Sequence, residues 1–148
     1  MQRILSICWV AVFCGAAVFL LDCAEPQGEP ERVVVQHVLI SFVGKLPGKP
    51  IKRTEEEARR LAYEVLDRAK RGEDFDALVK EHTDDQHPGI YAMANQGAPP
   101  QKQGEYQRDS MVQGFGDVSF SLGRGELGIC DYDGVKSPFG YHIIKRLE

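Results

Sequence analysis

Two short apolar segments, one at each end of the chain's polar body, carry one histidine each, and no other feature restricts the fold as much. Val33-Val34-Val35-Gln36-His37-Val38-Leu39-Ile40 is the first. Phe139-Gly140-Tyr141-His142-Ile143-Ile144, fed by the turn at Ser137-Pro138, is the second. Branched and aromatic residues favour strands. The first segment is apolar on both alternating faces, which predicts a central strand. If the two pair antiparallel with the histidines opposite, the Cβ atoms lie ~5 Å apart. Imidazoles that close share a hydrogen bond only when at least one is neutral. The intervening chain is expected to build a pocket around this pair.

That intervening chain reads in order. Thr54-Glu55-Glu56-Glu57 is a capping box. Ala58, Leu61, Ala62, Val65, Leu66 and Ala69 follow at helical spacing and Gly72 ends the helix. Asp74 caps a second helix with Phe75, Leu78, Val79 and His82 on one face, broken between Thr83 and Gly89. Ile90 to Asn95 predicts a strand, and the polar stretch Gln96 to Asp109 an exposed loop. Met111 to Leu122 has helical spacing, but Gly114 and Gly116 each cost roughly 1 kcal/mol relative to alanine, so packing must hold that helix. Leu127 to Tyr132 is a short strand, Asp133-Gly134 a turn, and Phe139 to Leu147 the closing strand. The order β-α-α-β-α-β-β defines an α+β domain over residues 33–148 with a small, mostly antiparallel sheet.

The first 22 residues differ in character. Arg3 precedes an uncharged apolar run from Ile4 to Leu21, which predicts a signal peptide or a membrane anchor over 1–22. Either places the body outside the cytoplasm, in the periplasm or cell envelope. Leu20-Leu21-Asp22-Cys23 resembles a bacterial lipobox, with Asp22 where a small residue is usual. Acylation of Cys23, a retained anchor and cleavage nearby are the three outcomes left open. Residues 23–32, with two prolines, read as a flexible tether. Cys8 and Cys14 fall in the leader, so Cys23 and Cys130 make no disulfide framework, and Cys130 reads as a structural thiol. A net charge of −4 gives no reason to expect nucleic acid as a partner.

From Val33 to Glu148 the chain resembles the parvulin family of peptidyl-prolyl cis-trans isomerases. The pieces that carry the resemblance run in family order: His37-Val38-Leu39-Ile40, then Gly72-Glu73-Asp74-Phe75 with Leu78, then Met111 to Leu122, then Gly125-Glu126-Leu127-Gly128, then Phe139-Gly140-Tyr141-His142-Ile143-Ile144. The resemblance implies a four-stranded antiparallel sheet wrapped by helices. It implies paired histidines at His37 and His142, an acid beside the substrate carbonyl at Asp85, and a hydroxyl bonded to the second histidine at Ser137. It further implies a proline pocket from Met111 and Phe115, closed by Phe120, with Tyr91 at the wall where the family has leucine. Three departures stand out. Pro88-Gly89-Ile90-Tyr91 is compressed against the family's glycine-rich strand, Gln96 to Asp109 is longer than usual, and Gly114 stands where proline is common. Lys45, Lys49, Lys52 and Arg53 occupy the loop where phosphate-selective members carry an arginine pair.

These residue types suit the implied reaction. The barrier to rotation about an X-Pro bond is amide resonance. No nucleophile and no cofactor is required, only better binding of the twisted amide than of either planar form. An apolar pocket fixes the proline ring, and Asp85 acts on the carbonyl, either as a repelling carboxylate or as a protonated donor. His37 and His142 orient the polar groups. The expected substrates are proline-containing stretches of unfolded or exported proteins. The alternative is a peptide-binding chaperone or scaffold module without catalysis. The bland reading of the pair is two satisfied core histidines, and the sharper rival is a metal site from His37, His142 and Asp85, to which His82 and His87 add possible ligands. The histidines lack ligand spacing such as H-x-x-x-H, so no metal is expected.

Overall fold

The computed structural model describes residues 28–148. The leader at 1–22, Cys23 and the start of the tether lie outside the described residues. The elements are β1 (Arg32–Ile40), α1 (Glu55–Lys70), α2 (Phe75–His82), β2 (Ile90–Ala94), β3 (Glu105–Gln107), a 3-10 turn (Arg108–Ser110), α3 (Gln113–Ser121), β4 (Leu127–Cys130) and β5 (Tyr141–Arg146).

The strands form one five-stranded sheet in the order β3-β2-β1-β5-β4, so the first histidine-bearing strand is central. All neighbours are antiparallel except β2 and β3. Side chains alternate across a strand, so each face takes half of β1. Val38 and Ile40, with Tyr141 and Ile143 of β5, pack against α1 and α2 through Ala62, Val65 and Leu78. Val33 and Val35, with Ile144, pack on the α3 side with Met93, Phe115 and Phe120. His37 falls on this second face, in step with Val35, and His142 in step with Ile144.

Local chemistry explains the secure elements. Thr54 Oγ1 accepts the Glu57 N–H at 3.2 Å and Glu57 accepts the Thr54 N–H at 2.7 Å, the reciprocal pair that starts α1. The two glycines of α3 answer to close approach. A Cβ on Gly114 would lie 2.5 Å from Cys130 Sγ, and the Gly114 N–H donates to Lys136 O at 2.8 Å. Proline at this position would lose that donor. Gly114→Ala is therefore expected to lower stability by about 1–3 kcal/mol through overpacking, although alanine is the better helix former. Urea unfolding of Gly114→Ala with and without Cys130→Ala checks this: the second change should recover most of the loss. A stabilised single variant would contradict the packing explanation.

At the level of the backbone, the structure corrects the sequence reading in three places besides the site residues taken up below. First, the sheet has five strands because Glu105–Gln107, inside the expected loop, pairs parallel to β2. Glu105-Tyr106-Gln107 does alternate, but three residues inside a polar stretch are too few to betray a strand. Second, the histidines are not opposite each other. His37 faces Ile144 and His142 faces Leu39, a diagonal offset of two residues. Third, the C-terminal end of the expected tether is fastened to the domain. Glu29 accepts from Arg108 at 2.5 Å, and Pro30 O and Glu31 O accept from Asn95 at 3.0 and 2.8 Å.

Candidate active site

The diagonal register still brings the two rings together. His37 Nδ1 lies 3.2 Å from His142 Nδ1, and the rings stack with 13° between their planes. Both side chains are buried. His37 Nε2 lies 3.1 Å from Asp85 Oδ2, and the Tyr91 hydroxyl donates to the same oxygen at 2.9 Å. Asp85 is on a loop, yet the loop is tied to β1. Asp84 N donates to Leu39 O at 2.8 Å, Leu39 N to Thr83 Oγ1 at 3.2 Å, and Ser41 N to Asp84 Oδ2 at 2.8 Å. The end of α2 and the centre of β1 thus fix the carboxylate beside the histidines.

The hydrogen-bond chain sets the charges. The bond from His37, and then that from Tyr91, hold the Asp85 carboxyl below its usual range against the opposing effect of burial. Burial first, then the bond to Asp85, push the Tyr91 hydroxyl up to about 12. Burial first, then the neighbouring His37, push His142 down to about 3. With Asp85 ionised, His37 Nε2 carries a hydrogen. The one arrangement that gives every ring hydrogen an acceptor then places the His142 hydrogen on Nδ1, donated to His37 Nδ1. His142 Nε2 is left as a bare acceptor, and it is indeed buried with no protein partner among the described residues.

A half-open cavity of about 250 Å³ opens over this chain, with room for a proline ring. His37, His142 and Asp85 contribute its polar surface; Tyr91, Met111 and Phe115 line it with apolar surface. Phe115 meets His37 edge-on at 5.1 Å, and Tyr91 meets both His37 and Phe115 edge-on at 5.2 and 5.8 Å. Leu39, Leu46, Val112 and Phe139 also line it and were not singled out from the sequence. Phe139, 40% exposed, stands outside the closing strand that its apolar pattern predicts it to start, because β5 begins two residues later.

Two expected residues take other places. Phe120 does not line the cavity; it is 1% exposed in the core under α3, with the Arg108 guanidinium 4.9 Å above its ring. The Ser137 hydroxyl donates to Gly140 O at 2.9 Å and makes no bond to His142; it closes the turn before β5. That turn needs glycine at Gly140, where φ is +142° and a Cβ would lie 2.4 Å from Ile40 O. Among the described residues no group of three or more His, Cys, Asp or Glu side chains could hold a metal ion. His82 is bonded to Arg68 and His87 to Asp76. Three of the four cations of the loop after β1 are engaged internally, and Lys52 is exposed. Lys45 bonds the Tyr132 hydroxyl at 2.6 Å, Lys49 the carbonyl oxygens of Asp84 and Asp85 at 2.5 and 3.2 Å, and Arg53 the Asp84 carboxylate.

Comparison with known proteins bears on this geometry. The PPIC-type PPIase domain family matches residues 20–148. A chaperone SurA of Chromohalobacter salexigens is 34% identical over 132 residues, 86% of this chain and 26% of that protein. The foldase protein PrsA 4 of Bacillus cereus is 35% identical over 86 residues, 58% of this chain and 26% of that protein. The chain thus spans about a quarter of the length of these curated relatives. The solution structure of TbPIN1 superposes with a TM-score of 0.59 at 21% identity, covering 80% of this chain and 98% of that one, a likeness of fold.

Proposed function

Because the chain belongs to the PPIC-type peptidyl-prolyl isomerase family, we propose that it catalyses cis-trans isomerisation of X-Pro bonds, with Asp85 as the group that acts on the substrate carbonyl. One observation carries the reading: a carboxylate held below its usual range, with one oxygen tied down, stands beside a largely apolar cavity that admits a proline ring. The proline ring enters between Met111, Phe115 and Tyr91 while the preceding carbonyl faces Asp85. A planar amide places partial negative charge on that oxygen, and twisting removes it. A fixed anion nearby raises the planar forms relative to the twisted one, and the apolar walls keep away water that would favour the planar forms. The histidine pair keeps the carboxylate ionised and in place and touches no bond that changes.

The substrates in this reading are exposed proline stretches of incompletely folded chains, consistent with relatives named as a chaperone and as foldases. The protein is exported through the apolar leader at 1–22, with the isomerase domain over 33–148, and held at the membrane by that leader or by a lipid on Cys23. The residue before proline is not a phosphorylated one in this reading, since Lys45, Lys49 and Arg53 are already engaged and, of the four loop cations, that leaves only the exposed Lys52.

The test is the initial rate of cis-to-trans conversion of short X-Pro peptides. Met111 is half-buried, so Met111→Ala should lower kcat/KM about tenfold, the loss of roughly 1.4 kcal/mol of proline contact. Phosphoserine before proline should bring no gain over leucine. A tenfold gain with phosphoserine would overturn the assignment of the loop cations. Binding without any acceleration would replace the enzyme by a non-catalytic peptide-binding module.

A further inference from the structure

The segment that departs most from the family pattern, Pro88-Gly89-Ile90-Tyr91, delivers a side chain that a passive wall would not need. We propose that Tyr91 is a positioning residue for the isomerase reaction: with His37 it grips Oδ2 of Asp85 and so presents Oδ1 to the substrate carbonyl. This inference rests on the isomerase reading above.

The geometry carries it. A carboxylate on a loop turns about two side-chain bonds. One hydrogen bond would leave it free to pivot. Here two donors converge on one oxygen, His37 Nε2 from β1 at 3.1 Å and the Tyr91 hydroxyl from β2 at 2.9 Å. No protein donor among the described residues reaches Oδ1, and the Asp85 side chain is 34% exposed beside the cavity. One oxygen is therefore anchored and the other available.

Tyr91 is itself held. Its ring packs edge-on against His37 and Phe115, and its residue pairs with Val35. The approach depends on Gly89, whose φ is +64° and whose carbonyl accepts the His37 N–H at 3.0 Å; a Cβ there would lie 2.7 Å from His37 O. The compression of this segment brings β2 against the backbone of His37, where the phenol of Tyr91 reaches Asp85. A hydroxyl shifted up to about 12 stays a donor throughout the range in which the carboxylate is charged. The charged and titratable groups around Asp85 are His37 from β1, with His142 of β5 behind it, Tyr91 from β2, and Lys49 from the loop after β1.

Tyr91→Phe removes one oxygen and keeps the wall. For the full chain acting on an X-Pro peptide, KM should stay within about twofold while kcat falls about tenfold, the signature of a contribution made in the transition state alone. The acid limb of the kcat profile should move to higher pH, as should the carbon-13 titration of the Asp85 carboxyl, which needs no activity to be read. An active wild type with an unchanged kcat and an unchanged Asp85 titration in Tyr91→Phe would overturn the assignment. So would a raised KM at constant kcat, which would make Tyr91 a wall only. A wild type that accelerates nothing would instead overturn the isomerase reading beneath it.

Discussion

Asp85→Asn should lower kcat/KM for X-Pro exchange by about two orders of magnitude, with the fold retained, and should be more damaging than Asp85→Ala. Asparagine keeps an oxygen to accept from His37 and Tyr91, so the anchoring bonds survive. Its amide NH2 then occupies the place of Oδ1. There it donates to the substrate carbonyl and favours the planar amide, which has the wrong sign for catalysis. Alanine merely removes the carboxylate. The sequence alone left two roles open, a repelling carboxylate and a protonated donor. The bonds from His37 and Tyr91 hold the group below its usual range and so favour the first. A donor role would make the asparagine variant the more active of the two, and relative rates under matched conditions decide between them.

Acidification should destabilise the protein through His142. The folded ring titrates at about 3, below its ordinary 6.5, because it is buried beside His37. Between those values the unfolded chain binds a proton that the folded ring refuses, so stability falls as pH drops. The slope is about 1.4 kcal/mol per pH unit, or roughly 2 kcal/mol lost by pH 5. Asp85 adds a loss of the same sign at lower pH, since its folded value lies below 3.8. Urea unfolding at pH 7 and pH 5 reads this directly. The wild type should lose roughly 2 kcal/mol more than His142→Asn over that interval. Equal losses would contradict a neutral buried ring at that position.

What was legible in the sequence was what short-range chemistry determines. The capping box at Thr54 and the apolar spacing after it place α1 to within a residue. The strand pattern around each histidine places β1 and β5 beside one another. The two-residue offset between the histidines was not legible, because long-range contacts set it, among them the approach of Gly140 to Ile40. Phe120 was misplaced although a signal existed. It lies about 140° around the helix from Phe115, so the two rings point in different directions, and only Phe115 reaches the cavity. Phe139 takes a place on the cavity because the strand starts later than its apolar pattern suggests. Ser137 had no local signal tying it to His142, and its hydroxyl serves the turn instead. Tyr91 is the instructive case. The residue was visible as a departure, but its bond to Asp85 depends on how the chain turns at Gly89.

The most direct test of the central claim is exchange NMR on a short X-Pro peptide with a catalytic amount of the chain, wild type and Asp85→Asn side by side. Cross-peaks between cis and trans signals that appear with the wild type and fade with the variant are the expected result. Cross-peaks of equal strength with both would contradict the role of Asp85. Line broadening with neither showing exchange would leave the cavity as a place where proline is held and not turned.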